Sequence, residues 1–206
     1  MTRTPFPPAI KSRPTYGVLE PRVGTRHLVI ADGEGAGAVA DLLDKAGEGR
    51  TALLAALHII YAPGMNGTDA SAALQGLGAA QFYRAPTIPT LLPRLAQVLT
   101  NARMGTQFYL SGTESLMGQV ERDIMATGFP YKDIQKEHRG STARRVQCVH
   151  CKGITEHVLT DPFQCSHCGL HLYVRDHYSR RLAAFQGVNI DAEEPGKVPP
   201  AVERFR

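Results

Sequence analysis

The 206-residue sequence has no apolar run approaching the ~20 residues that cross a bilayer, which excludes a membrane-spanning helix. Its N-terminus lacks the basic-then-apolar pattern of a secretory signal, so a cytoplasmic protein is expected. Charge of one sign is scarce. The formal net charge is +4, spread along the chain, and this argues against nucleic acid or a membrane surface as partner. Cysteine is rarer still, with four in all, and every one falls between residues 148 and 168. In a reducing compartment such clustering is a metal signature before it is a disulfide one. What is plentiful is Leu, Ile, Val and Ala. With 43% hydrophobic residues the chain can bury a core, and its length suits one ordinary domain with a small appendage.

Residues 1–26 carry Pro5, Pro7, Pro8, Pro14 and Pro21 and little apolar periodicity. Proline fixes φ and removes a donor, so an extended arm is expected: a surface tail, or a strap lying on a partner or on the main domain. Residues 27–31 (HLVIA) then form a short continuous apolar run of the kind buried on both faces of a parallel sheet. A glycine-rich turn and a helical pattern follow, as at the opening of a βαβ unit. Further strands are expected at 56–61, 81–83, 106–110 and around Ile134. Helices are expected at 69–80, 91–100 and 114–127. Alternating strands and helices predict an α/β domain with a largely parallel sheet over residues 27–140. After Glu137 the composition changes, with five of the eight histidines and all four cysteines in residues 139–206. A small metal-binding domain is expected at 141–175 and an extended partner-docking arm at 176–206.

The turn Asp32-Gly33-Glu34-Gly35 could cradle phosphate on backbone N–H groups at a helix N-terminus, or it could be a simple βα turn. Asp32 and Glu34 place negative charge where a pyrophosphate would lie, and no Arg or Lys follows the second strand. No intact NAD(P) or flavin site is therefore expected in this chain. Residues 27–138 resemble the pyridine-nucleotide domain of the ferredoxin–NADP reductase and phthalate-dioxygenase-reductase family. The resemblance rests on Ala31-Asp32-Gly33-Glu34-Gly35, on the strand-to-helix segment from Tyr109 to Met117, on Gly128-Phe129-Pro130 and on Ile134-Gln135-Lys136-Glu137. Two departures bear on chemistry. Ser111 stands where such reductases place the cysteine beside the nicotinamide, and 26 preceding residues are too few for a flavin-binding barrel. The resemblance thus implies a degenerate reductase-type domain that keeps the fold without its catalysis.

Cys148-Val149-His150-Cys151 and Cys165-Ser166-His167-Cys168 are two C-x-x-C knuckles separated by thirteen residues. Such a pair brings four thiolates to one ion in tetrahedral geometry, which suits zinc or iron. Lys152-Gly153 and Gly169 follow the knuckles and let backbone N–H groups turn toward the sulfurs, whereas His150 and His167 read as exposed loop residues. A zinc ribbon would be structural, and an iron centre of the rubredoxin type would carry one electron. In the phthalate-dioxygenase-reductase arrangement an iron–sulfur domain follows the nucleotide domain directly, and by that resemblance iron is favoured with zinc the alternative.

The segment from Arg175 to Val188 interleaves Arg, His, Tyr and Phe, the mixture interfaces favour, and reads as a docking segment or a solvated tail. Together with the degenerate domain and the knuckles, its RDHYSRRLAAFQG stretch resembles the small-subunit family of bacterial dimethylamine monooxygenase. That resemblance implies partners: a haem oxygenase subunit and a flavin/iron–sulfur reductase subunit that together demethylate dimethylamine with NADPH and oxygen. Under it the chain is an electron-relay subunit, with no catalytic residue of its own and Cys148, Cys151, Cys165 and Cys168 as metal ligands. A non-catalytic scaffold with structural zinc is the alternative, and a zinc-ribbon adaptor for nucleic acid a more distant one.

Overall fold

The computed structural model describes residues 12–206, so most of the expected proline-rich arm lies outside the described residues. The chain forms two compact units, Thr15–Gly140 and Ser141–Arg206, with residues 12–14 belonging to the second.

In the first unit the order is β1 (Arg26–Asp32), α1 (Gly35–Lys45), α2 (Arg50–Ala55), β2 (Leu57–Ala62), α3 (Ser71–Gly76), β3 (Gln81–Arg84), α4 (Ile88–Leu99), β4 (Thr106–Gly112), α5 (Glu114–Ala126) and β5 (Ile134–His138). All five strands are parallel, in the order β3-β2-β1-β4-β5. The sequence crosses from β1 outward to β3 and then back to β4, so the topological switch lies between β1 and β4. In β1 every residue after Arg26 is buried, and all of β2 is, because helices cover both faces. Leu28, Ile30, Ile60 and Phe108 face α4 and α5, while Val29, Ile59, Tyr61 and Tyr109 face α1, α2 and α3. The period-two alternation hidden inside uniformly apolar strands thus becomes two separate cores.

Helix boundaries follow their caps. A helix expected from residue 91 starts at Ile88, because Thr87 accepts from the Thr90 N–H and Thr90 returns the bond, so Pro93 lies inside α4 rather than in its first turn. Thr113 caps α5 by accepting from the Leu116 N–H, without a reciprocal bond. The helix expected over 69–80 is a single short one, α3, with loop on either side.

Residues 16–20 lie along the outer edge of β5. Gly17 donates its N–H to the Lys136 carbonyl at 2.8 Å and Leu19 to the Glu137 carboxylate at 2.8 Å, and Glu20 exchanges bonds with the Gln135 side chain. These five residues lie on the α/β unit as a strap. It covers a sheet edge that would otherwise present unpaired backbone groups. Leu19 is fully buried beside α1.

The second unit is all β: β6 (Arg144–Cys148), β7 (Ile154–Val158), β8 (Thr160–Asp161), β9 (Phe163–Gln164), β10 (His171–Ser179), β11 (Ala184–Asn189) and β12 (Val202–Glu203). A five-stranded sheet runs β7-β6-β11-β10-β9, with β11 parallel to β6, and β12 pairs with β8. Here the structure departs from the expected boundaries. Residues 176–179 complete β10 and 184–189 form β11 in the same sheet as β6, so the small domain does not stop at 175 and no extended arm begins at 176. The reason is the use made of the aromatic residues: Val174, Tyr178 and Phe185 are core, and Phe205 returns to the same cluster. The Arg144 guanidinium lies over the rings of Phe185 (3.9 Å) and Phe205 (4.3 Å) and binds the Asp176 carboxylate at 2.9 Å. The aromatic residues Tyr178 and Phe185 of that stretch are thus spent internally, while its Arg175, Arg180 and Arg181 are exposed.

Candidate metal centre and the closed crevice

The two knuckles repeat one backbone design. Cys148 ends β6, and Lys152 N–H returns to its carbonyl at 3.0 Å, while Gly169 N–H returns to that of Cys165 at 3.0 Å. Cys148 N–H meets the Gly153 carbonyl at 2.9 Å, as Cys165 N–H meets that of Leu170. Lys152 (φ 65°) and Gly169 (φ 75°) take the left-handed conformation at equivalent places, and the lysine bears it while its Nζ holds the Val149 carbonyl at 2.6 Å.

These loops bring all four expected cysteines together. Their Sγ atoms lie within 4.8 Å of one another, and the shortest separations cross between knuckles: Cys148 to Cys168 at 3.9 Å and Cys151 to Cys165 at 3.8 Å. A tetrahedral ion with metal–sulfur bonds of about 2.3 Å requires sulfurs about 3.8 Å apart, so the donor set fits a thiolate-loving divalent or trivalent ion. Cys148 and Cys165 are buried and Cys151 and Cys168 form the partly exposed rim.

Backbone donors point at the sulfurs. Gly153 N–H reaches Cys151 Sγ at 3.4 Å. Burial pushes the Cys165 thiol up, but the Cys168 and His167 N–H groups and the neighbouring thiols outweigh it and bring it to about 6. At Cys168 the Leu170 N–H favours thiolate, while burial and the three neighbouring sulfurs oppose it and hold the proton to about 12. Four thiolates this close need a cation among them.

His167 is the residue whose role the sequence did not disclose. Its Nε2 lies 2.9 Å from the Ile154 carbonyl, so the ring ties the second knuckle to β7 rather than serving as a ligand. Gly153 makes room for it. A Cβ there would lie 2.4 Å from His167 Cγ and 2.5 Å from Cδ2. Ser166 adds a second tie, with its N–H and hydroxyl both 3.1 Å from Thr155 Oγ1. His150 is exposed.

At the switch point of the α/β unit, where doubly wound sheets bind ligands, protein groups span the gap. Asp32 at the end of β1 is 3% exposed and turns across to β4. Its carboxylate accepts from the Thr113 N–H at 2.7 Å and the Thr113 hydroxyl at 2.6 Å. A Cβ on Gly112 would lie 1.8 Å from Asp32 Oδ1, so the carboxylate rests directly on the Gly112 backbone. Burial pushes the Asp32 carboxyl up, opposed by the Thr113 bonds and by His138. Ser111 is fully buried and donates to the Gly35 carbonyl at 2.9 Å. Glu34 is exposed. The sequence places Asp32 in the turn but gives no sign that Thr113, eighty-one residues away, engages it.

A doubly wound parallel α/β unit with a spanned crevice, followed by a β unit built on four convergent cysteines, defines a two-unit protein class with one candidate metal centre. The particular family follows from the sequence. The chain belongs to the family described as "Dimethylamine monooxygenase subunit DmmA-like", matching its N-terminal domain over residues 8–134 and its C-terminal domain over residues 145–188. It is 28% identical over 152 residues to a protein of Ectopseudomonas mendocina (strain ymp) described as "Heme-dependent oxidative N-demethylase delta subunit", covering 71% of this chain and 87% of that one. Among solved structures it is similar to phthalate dioxygenase reductase, at 16% identity and a TM-score of 0.43 over 71% of this chain and 47% of that chain. It is also similar to the flavohem-like FAD/NAD binding domain of nitric oxide dioxygenase from Vibrio cholerae O1 biovar El Tor, at 16% identity and a TM-score of 0.40 over 62% of this chain and 56% of that chain. The chain spans about half the length of these two structures. No helix among the described residues is long and apolar enough to cross a membrane.

Proposed function

We propose that this chain is the electron-transfer subunit of a haem-dependent oxidative N-demethylase that consumes NADPH and oxygen and acts on dimethylamine. In this reading Cys148, Cys151, Cys165 and Cys168 hold one iron ion. The observation that carries it is the convergence of the four sulfurs at tetrahedral spacing with two of them at the protein surface. Family membership and the N-demethylase relative support the assignment to such a complex. Its partners are then a flavin/iron–sulfur reductase subunit and a haem oxygenase subunit, and its location is the cytoplasm, where thiols stay reduced. An iron ion on four thiolates supplies a one-electron couple whose potential answers to hydrogen bonding and burial. The chain's residues do the rest. The Gly153 and Leu170 N–H groups donate to the rim sulfurs, those of His167 and Cys168 to buried Cys165, and the rim sulfurs shorten any path to a docked protein.

In this reading the α/β unit is scaffold. With Asp32 pinned on Thr113 and Gly112, a dinucleotide phosphate would meet a buried carboxylate instead of open N–H groups.

A structural zinc ion is the second reading, favoured by the burial of Cys148 and Cys165 within the small core of the second unit. Metal analysis and a visible spectrum of the purified chain separate the two. The relay predicts stoichiometric iron and a red protein bleached by dithionite, with Cys151→Ser abolishing the colour. A colourless protein with stoichiometric zinc overturns it.

A further inference from the structure

Four cations at the N-terminal ends of β1, β4 and β5 make no ion pair among the described residues. Arg22 lies at the end of the strap, Arg26 opens β1, Arg103 precedes β4, and Lys132 lies in the turn before β5. The Arg22 guanidinium donates to the Lys132 carbonyl at 2.6 Å and that of Arg26 to the Asn101 carbonyl at 3.3 Å. Arg103 donates to the carbonyls of Thr100 (3.2 Å) and Ala102 (2.9 Å). Each arginine is thus held through one Nη on backbone oxygen. Among the described residues its remaining N–H groups have no partner, and none of the four cations makes an ion pair. The three segments 22–26, 101–106 and 131–134 carry these four cations and a single carboxylate, Asp133. Around the opposite, C-terminal ends the cations are matched: Arg84 with Asp69, and Arg139 with Asp41 and Glu137. The unbalanced charge is felt inside the unit. Buried His58 on β2 is pushed down to about 4, first by burial and then by Arg26 and Arg94.

Two large apolar side chains stand on the same loops, Val23 at 99% exposure and Met104 at 94%. Their loops are joined by the Thr25 N–H on the Gly105 carbonyl at 3.0 Å, so the two residues stand on adjacent loops. An apolar centre with an arginine-rich surround is the composition of a protein interface, and pre-oriented guanidinium forks with free N–H groups are built for bidentate carboxylate. We infer that this edge is a docking surface for an acidic protein surface on another subunit of the same complex, its carboxylates meeting Arg22, Arg26, Arg103 and Lys132 around Val23 and Met104. The inference rests on the reading of this chain as a complex subunit and adds to it which face is engaged and by what chemistry.

The test measures affinity of the full chain for the separately purified haem and reductase subunits at low and high salt. It compares wild type, the triple variant Arg22→Glu/Arg103→Glu/Lys132→Glu, Val23→Asp, and Arg84→Glu as a control at the opposite ends of the strands. Wild-type affinity should fall with salt. The triple variant should bind one subunit at least about tenfold more weakly with a flattened salt dependence, Val23→Asp should weaken binding of that same subunit, and the control should match wild type. Should the triple variant fail to fold, Lys132→Glu and Val23→Asp carry the test singly, because both side chains project into solvent. Wild type and triple variant binding alike, with equal salt slopes, overturns the surface and leaves the subunit reading standing. Failure of the wild-type chain to bind either subunit overturns both. Loss of affinity for a single-stranded RNA oligonucleotide, with subunit binding unchanged, would assign the edge to nucleic acid and likewise overturn the inference.

Discussion

Replacing Gly153 by alanine should damage the four-cysteine site without touching a ligand. The new methyl carbon would lie 2.4, 2.5 and 2.9 Å from Cγ, Cδ2 and Cβ of His167, about 1 Å inside ordinary contact. These are the near atoms of the ring, not the end of a flexible chain, so the ring as a whole must leave. Overpacking of this kind costs about 1–3 kcal/mol. Moving the ring also breaks the His167–Ile154 hydrogen bond, a further ~0.5–1.5 kcal/mol. The expected destabilisation of the second unit is therefore about 2–4 kcal/mol, with weaker metal retention because Cys165 and Cys168 flank the displaced residue. Urea unfolding followed by circular dichroism, with metal content measured after dialysis against a mild chelator, reads both effects. The decisive comparison is a double-mutant cycle. In a His167→Ala background the ring is absent and only the 2.9 Å contact to Cβ survives, so Gly153→Ala should cost less than about 1 kcal/mol there. An equal cost in both backgrounds, or less than about 0.5 kcal/mol in wild type, would refute the steric argument.

Lys136 and Glu121 form an ion pair at 6% and 7% side-chain exposure, with the Lys136 ammonium 5.0 Å from the Tyr131 ring centroid and 6.0 Å from that of Tyr16. Lys136→Met alone should cost about 3–5 kcal/mol because it leaves a buried carboxylate uncompensated, whereas Lys136→Met/Glu121→Leu should recover most of it in the same urea titration; additive single and double costs would contradict this. Asp32 has its folded-state carboxyl raised above the unfolded value near 3.9, so its ionisation is penalised in the fold. Its contribution is full below that pH and is lost as pH rises through the folded value. The stability advantage of wild type over Asp32→Asn should accordingly shrink from pH 4 toward neutrality in thermal melts, and an advantage that grows with pH would contradict the sign.

Much of the α/β unit is legible along the chain. Apolar runs such as 27–31 and 56–61 announce buried parallel strands, because only residues covered on both faces can be continuously hydrophobic. The helix starting at Ile88 is less legible, because it depends on a reciprocal Thr87–Thr90 cap while Pro89 and Pro93 distract from it. The stretch from Arg175 to Val188 conceals its strands. Its inward-facing Tyr178 and Phe185 alternate with polar residues over a bulge between Arg175 and Tyr178, which breaks the period-two pattern that would have marked a strand.

The sequence by itself determined the candidate metal site: two C-x-x-C knuckles at that spacing are the ligand pattern of a four-thiolate tetrahedral site. It also determined that the glycine turn carries acid where a phosphate would lie. Only the tertiary structure decided what becomes of that acid, because Thr113 is brought to Asp32 by the pairing of β1 with β4 and not by any local signal. It likewise decided that His167 braces the second knuckle, and that four cations distant in sequence stand along one edge beside two exposed apolar side chains. Chemistry held within a turn can be read in order along a chain. Chemistry assembled by a sheet depends on strand order, which no window of residues contains.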